Sequence, residues 1–240
     1  MVTVHFRSEL FMLCRQAFAR VLMLSRGKVC VSRTHAFIFS NCTHGQADSV
    51  LDTFEVYAST HPSFSIGPDR GEFVEEVVKR LAPLRVLELG MHCGYVSVRI
   101  LRQLPSTGKL LTVEVDPHTA DKGEEIILVA GFKHTQFKVL TSSSEEAISA
   151  LRSHLGEKNL DLVLMDHDPK EYLPSLLALQ REELLSPGCV LLINNALDTG
   201  AKALLEYIRT SQACLTVGRQ VQGMMELQWG KVAYPEGTEC

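Results

Sequence analysis

"RVLELGMHCGY", residues 85–95, reads as a buried strand that ends in a glycine turn and opens directly into a helix. Val86, Leu87 and Leu89 form an apolar run of strand length. Gly90 lets the backbone turn tightly and approach a ligand, and a helix starting near Gly94 offers free N–H groups to polar or anionic atoms. The spacing is G-x-x-x-G, not the G-x-G-x-x-G of a dinucleotide site, so no pyrophosphate cradle is evident, and such a turn also occurs for structural reasons alone. Glu88, inside the strand, needs partners for its carboxyl group.

Outward from this unit the apolar pattern alternates between helical and extended periods. It predicts helices over 46–60, 69–82, 95–104, 117–130, 145–155, 170–185 and 200–210, and strands over 85–89, 110–115, 135–140, 160–166, 188–194, 213–218 and 226–233. Unbroken apolar strands such as "DLVLMD" (161–166) and "CVLLIN" (189–194) belong to a sheet covered on both faces. The expected fold is therefore α/β, a doubly wound, Rossmann-like sheet. Ligands of such sheets lie beyond the carboxyl ends of the strands, which directs attention to residues 88–96, 114–116, 142–145, 166–170 and 194–200. Glu114, 26 residues after Glu88, stands where an acid accepts hydrogen bonds from ribose hydroxyls, although a solvated strand-end carboxylate is the plainer alternative.

Composition limits the function classes. With 240 residues, 45% of them hydrophobic, the chain suits one domain. A net charge of −4 and 7% aromatics give no basic stripe or base-stacking signature, so no nucleic-acid partner is expected and a small-molecule ligand is. Seven scattered cysteines without a C-x-x-C pair suggest neither a disulfide framework nor a zinc site, and fit a reducing compartment. The first 33 residues hold six Lys/Arg against Glu9 alone, a charge of +5 that leaves about −9 for the rest. Residues 1–32 are accordingly set apart as a basic leader, either loosely ordered or an amphipathic helix able to touch a membrane surface, and 33–240 as the folded domain. Arg15 and Arg20 interrupt the leader's apolar run, which falls short of the roughly 20 residues a membrane span needs. A cytoplasmic monomer is expected, with membrane association through the leader as the alternative.

"LELGMHCGY" (87–95), "LLTVEVDP" (110–117), "MDHDPKEYLP" (165–174) and "LLINNALDTG" (191–200), in this order, resemble the catechol O-methyltransferase family of S-adenosylmethionine-dependent enzymes, from about Arg33 to about Arg209. The resemblance implies a methyltransferase sheet of seven strands with the last antiparallel. It implies donor contacts from Ile66, Glu88, Gly90, His92, Val96, Glu114, Val115, Ser144, Glu145, Asp166 and His167. His92 replaces a tyrosine of the family, Val96 a serine, Glu145 a glutamine, and Asp168 the tryptophan that flanks the adenine.

For the acceptor end the resemblance implies magnesium held by Asp166, Asn194 and Asn195, lowering the pKa of a catechol-like hydroxyl. Asn194 stands for a carboxylate. Unit charges about 4 Å apart attract by roughly 4 kcal/mol, gross, at an effective dielectric near 20, so the metal site is expected to be weakened. The family's base lysine falls on Pro169, which has no proton acceptor. Lys170, one residue later, is the expected base, with His167 as the other candidate. The acceptor walls at Pro62, Phe64, Asp168 and Thr199 also depart from the family, and Glu226 is the stand-in for a glutamate that holds the second hydroxyl. The activity implied is a magnesium-assisted O-methyltransferase acting on a catechol-like acceptor. The alternative is a weakened methyltransferase fold that acts by binding a protein partner or a membrane.

Overall fold

The computed structural model describes residues 29–63, 65–211 and 214–230. Residues 1–28 of the leader set apart over 1–32, and the acceptor-wall residue Phe64, lie outside them, while Val31 and Ser32 belong to α1. Nine α-helices occur among the described residues: α1 Val31–Asn41, α2 Ala47–Thr60, α3 Pro68–Leu81, α4 Tyr95–Gln103, α5 Pro117–Val129, α6 Ser144–Ala150, α7 Arg152–Leu155, α8 Tyr172–Arg181 and α9 Lys202–Thr210. The strands are β1 Arg85–Leu89, β2 Lys109–Glu114, β3 Phe137–Thr141, β4 Leu160–Met165, β5 Leu185–Ile193, β6 Leu215–Val221 and β7 Met224–Trp229. None of these helices is long and apolar enough to cross a membrane.

The strands form one seven-stranded sheet in the order β3-β2-β1-β4-β5-β7-β6, in which β7 runs antiparallel to both of its neighbours. This is the expected doubly wound sheet with its last strand reversed. Alternation along the central strands builds a core on each face. Leu162, Leu164, Val190 and Leu192 enter the layer under α1–α5, and Val163, Met165, Leu191 and Ile193 enter the layer under α6, α8 and α9. Burial on both faces explains why these strands read as continuous apolar runs.

Two features depart from the sequence reading. Helix α1 was not expected, because its sequence VSRTHAFIFSN is rich in β-branched and polar residues and Cys30 supplies no side-chain cap. Packing holds it: Ile38 and Thr34 are fully buried, and Ser32 Oγ lies 2.8 Å from His118 Nε2 on α5. The helix expected over 145–155 is divided at Leu151 into α6 and α7, and α6 starts with a capping box between Ser143 and Glu146. Among the described residues Cys30, Cys42, Cys93 and Cys189 are free thiols, whereas Cys214 is disulfide-bonded.

A buried polar network ties the helices of the first layer together. Arg99 on α4 donates to Glu55 on α2 at 2.6 Å, to Glu75 on α3 at 2.9 Å and to Tyr95 Oη at 2.7 Å. Arg102 reaches the same Glu75 at 2.6 Å. Gly71 makes room for this arrangement, since a Cβ there would come within 2.5 Å of Arg99 Nε. The start of α3, and with it Arg70, is thereby fixed against α4.

Candidate active site

The strand order reverses between β1 and β4, and the carboxyl ends of four strands are joined there step by step. Gly90 N donates to Val113 O at 2.9 Å, Asp166 N to Leu89 O at 2.8 Å, and Asn194 N to Met165 O at 2.9 Å. Gly90 takes φ +96°, and a Cβ at this position would lie 2.6 Å from the Asp166 carbonyl oxygen and 2.8 Å from His167 N. Only glycine lets β1 and β4 close at this height.

A cavity of about 310 Å³ opens beside this junction. It is lined by Leu89, Gly90 and His92 after β1, by Val113, Glu114 and Val115 at the end of β2, by residues 142–145 at the start of α6, and by His167, Asp168 and Glu171 after β4. Gly90, His92, Glu114, Val115, Ser144, Glu145 and His167, all expected as donor contacts, thus face one space. Ile66, Glu88, Val96 and Asp166 do not line it: Ile66 and Val96 are buried in the core, and Glu88 and Asp166 are buried behind its wall. Asp168, placed by the resemblance where a tryptophan flanks the adenine, lines the cavity as well, whereas Glu171 was not expected there. The polarity of Glu171 after β4 was the available signal, but the turn that carries it could not be drawn from spacing alone.

Glu88 is fully buried, and its Oε2 accepts from Ser97 Oγ at 2.5 Å and from Thr112 Oγ1 at 2.6 Å. Burial raises its pKa to about 8 despite those two bonds, with the carboxylates of Asp166 and Glu114 adding to the effect. Glu88 is therefore largely a neutral acid at pH 7, and its Oε1 is buried with no hydrogen-bond partner. Glu114 accepts from His92 N at 2.9 Å and from Asp116 N at 3.1 Å. His92, at φ +50°, lays its ring across the junction with Nε2 2.8 Å from the Asp166 carbonyl oxygen. His167 Nε2 lies 3.0 Å from Ser175 Oγ, and burial lowers its pKa to about 4, so the ring is uncharged at pH 7.

At the acceptor end, Asp166, Asn194 and Asn195 do come together, but around a side chain that was not expected. Asn194 Nδ2 donates to Asp166 Oδ1 at 2.6 Å, and the Asn194 and Asn195 amide oxygens both accept from Arg70 Nη1, at 2.7 and 3.0 Å. Arg70 Nε donates to Ile66 O at 2.7 Å. Burial raises the pKa of Asp166, and His92, the Asn194 amide and Arg70 oppose the rise. The two amide oxygens converge as ligands would, but the cation between them is a guanidinium. Among the described residues no group of three or more His, Cys, Asp or Glu is placed to hold a metal ion. As arranged, with one buried carboxylate and two amides already bonded to Arg70, the expected magnesium ligands do not fit a divalent cation. The signal for Arg70 was absent from the sequence, since it is separated from Asn194 by 124 positions.

Around this cluster, Tyr172 Oη donates to Asn194 O at 2.9 Å. Asp168 caps the turn that follows β4 by accepting from Lys170 N at 3.1 Å, and the exposed Lys170 runs its stem over Gly200. Glu226, the stand-in for the second hydroxyl's partner, is instead turned to Arg80 on α3, at 2.6 Å.

A family model described as O-methyltransferase matches residues 47–221. Human Transmembrane O-methyltransferase is 34% identical over 198 residues, covering 80% of this chain and 68% of that protein. Mouse Catechol O-methyltransferase is 34% identical over 170 residues, covering 70% and 64% respectively. In three dimensions, an O-methyltransferase from Bacillus cereus solved in complex with SAH matches with a TM-score of 0.65 at 18% identity, over 76% of this chain and 90% of that one. The O-methyltransferase TomG from Streptomyces achromogenes, solved with SAM, matches with a TM-score of 0.64 at 19% identity, over 83% and 96%.

Proposed function

The chain belongs to the O-methyltransferase family, and from that premise we propose that it transfers a methyl group from S-adenosylmethionine to a hydroxyl of a small, catechol-like acceptor. The observation that carries this reading is the junction of Gly90, Asp166 and Glu114 at the reversal of strand order, opening on a cavity at the lower end of the range for small-molecule sites. The donor fits the residues present. Glu114 is an acid suited to ribose hydroxyls, and the chain has no side chain at Gly90 to keep a ligand away from the backbone.

When bound, S-adenosylmethionine supplies a methyl sulfonium whose carbon–sulfur bond breaks, leaving its electron pair on sulfur, as the acceptor oxygen forms the new bond to carbon. The contribution of the protein is to bring the two together and to take away one proton. Glu114, Ser144 and Glu145 hold the nucleoside side, and the open backbone at Gly90 receives the amino-acid side. Lys170, in its free-amine form, takes the proton from the acceptor hydroxyl. His167 is the weaker candidate because it is already a poor base and contacts Ser175. Magnesium, implied by the family resemblance, has no ligand set here, because Arg70 holds the amide oxygens it would need.

The domain is proposed to act as a monomer in the cytoplasm. The name of the human relative and the basic, partly apolar character of residues 1–32 support contact of that segment with a membrane surface.

The test is incubation of the purified full chain with S-adenosylmethionine and a panel of catechols and phenols, with product detected by mass. Methylated product is the expected result; donor binding without product from any acceptor would overturn the reading. A second reading, a methyltransferase fold that acts by binding a protein partner or a membrane, is favoured by the commitment of Asp166, Asn194 and Asn195 to partners within the chain. It is the one left standing if donor binds and no acceptor is methylated.

A further inference from the structure

We infer that Arg70 is the resident cation of the acceptor end, in the place a divalent ion would take, and that ligand binding by this chain is independent of divalent metal. The metal half of this inference stands on geometry alone; the role of the cation toward an acceptor rests on the methyltransferase reading above.

Three observations carry it. First, the oxygens that would ligate a metal converge on one guanidinium nitrogen: Arg70 Nη1 donates to Asn194 Oδ1 at 2.7 Å and to Asn195 Oδ1 at 3.0 Å. Second, the remaining amide group of Asn194 points its N–H at Asp166, at 2.6 Å. That orientation follows from the chemistry, since a guanidinium can only donate and a carboxylate can only accept. The Asn194 amide therefore relays between cation and carboxylate, and an aspartate at this position would leave two carboxylates facing each other across that bond. The neutral asparagine and the fixed arginine suit each other. Third, Arg70 is held in place. Its Nε is bonded to Ile66 O at 2.7 Å, and the helix that bears it is fixed to α4 by Arg99 passing over Gly71.

A divalent ion entering here would have to displace a guanidinium that makes three hydrogen bonds, and would gain a single carboxylate in return. Arg70 Nη2 has no hydrogen-bond partner among the described residues and retains two N–H donors. Those donors suit an oxygen that is gaining negative charge, such as a phenol losing its proton, and a guanidinium stays charged throughout the usable pH range. The chemical class implied for the acceptor is one that presents a phenolic oxygen to a monovalent, hydrogen-bonding cation, with no second oxygen needed to chelate a metal.

The test uses Mn2+ alone as a paramagnetic probe of the metal site on the full chain, read by electron paramagnetic resonance. S-adenosylhomocysteine binding is measured in parallel by calorimetry in magnesium and in chelator. The wild-type chain is expected to leave the free Mn2+ signal unattenuated, and its S-adenosylhomocysteine affinity is expected to change less than about twofold between the two conditions. Arg70→Gln with Asn194→Asp should create one Mn2+ site per chain, with affinity raised by about 100-fold or more. One Mn2+ bound per wild-type chain and lost in Asp166→Asn would overturn the inference. A folded double variant, judged by circular dichroism, that still ignores Mn2+ would also overturn it. If the double variant does not fold, the wild-type and Asp166→Asn measurements decide alone. Failure of S-adenosylhomocysteine to bind at all would instead count against the proposed function and leave the Mn2+ result intact.

Discussion

His92 Nε2 lies 2.8 Å from the carbonyl oxygen of Asp166, so the ring of the residue after the β1 turn bridges the ends of β1 and β4 across the mouth of the cavity. The backbone N–H of the same residue binds Glu114. A donor that used the Asp166 carbonyl would compete with the imidazole for it. His92 already sits at φ +50°, a conformation that glycine adopts without strain. His92→Gly is therefore expected to bind S-adenosylhomocysteine up to about tenfold more tightly, the worth of one hydrogen bond of ~0.5–1.5 kcal/mol. Calorimetry checks this, and weaker binding would mean that the ring helps hold the donor.

Glu88 makes stability depend on pH in a definite direction. Its folded pKa of about 8 lies above the ordinary value of 4.5, so the folded state holds a proton that the unfolded state has released. Stability is expected to fall as pH rises from about 4.5 to about 8 and then to level off. Glu88→Gln keeps acceptors for Ser97 and Thr112 without the carboxylate. Melting temperatures between pH 5.5 and 8.5 should therefore drop by several degrees more for wild type than for the variant, since ~1 kcal/mol is worth about 2–4 °C in a domain of this size. Parallel curves would rule out Glu88 as the source.

Gly90→Ala places a methyl group 2.6 Å from the Asp166 carbonyl oxygen at a backbone φ of +96°. Left-handed backbone alone costs about 1–2 kcal/mol, and overpacking adds about 1–3 kcal/mol. The variant is expected to lose roughly 2–5 kcal/mol in urea unfolding, with donor binding abolished in whatever fraction folds. Ordinary donor affinity in the variant would show that the closeness of β1 to β4 is not what the ligand needs.

Lys170→Met tests the proposed base while keeping the length of the stem that lies over Gly200. Loss of a general base typically costs about 10²–10⁴ in rate, so kcat should fall by that order while S-adenosylhomocysteine affinity stays within about twofold. Unchanged turnover would move the proton to another group.

The sheet and its ligand-bearing end were legible because the signals are local. "DLVLMD" and "CVLLIN" announce strands covered on both faces, and Gly90 after "RVLEL" announces the turn. Seven of the donor residues indicated by the family resemblance line one cavity for the same reason, since each lies at the carboxyl end of a strand or within a few residues after it. Helix α1 was illegible because tertiary packing, through Ile38 and Thr34, overrides a sequence with weak helical preference. Arg70 was illegible in a different way. At the start of α3, after Gly67-Pro68-Asp69, it reads as an ordinary solvated cation, and only the fold brings it to Asn194 and Asn195. The sequence did carry half of the relationship, the neutral residue at 194, but not the charge that answers it.

The stepwise bonding of the strand ends, from Val113 to Gly90, Leu89 to Asp166 and Met165 to Asn194, has a consequence for how this site can be altered. Each reactive position takes its location from a neighbour's main chain, so the rim behaves like a row of numbered sockets. A side chain can be exchanged at one socket without moving the next, provided the replacement tolerates the local backbone. Charge can then be redistributed around the ring, from a metal to an arginine or back again, while the distances between sockets stay as the sheet dictates.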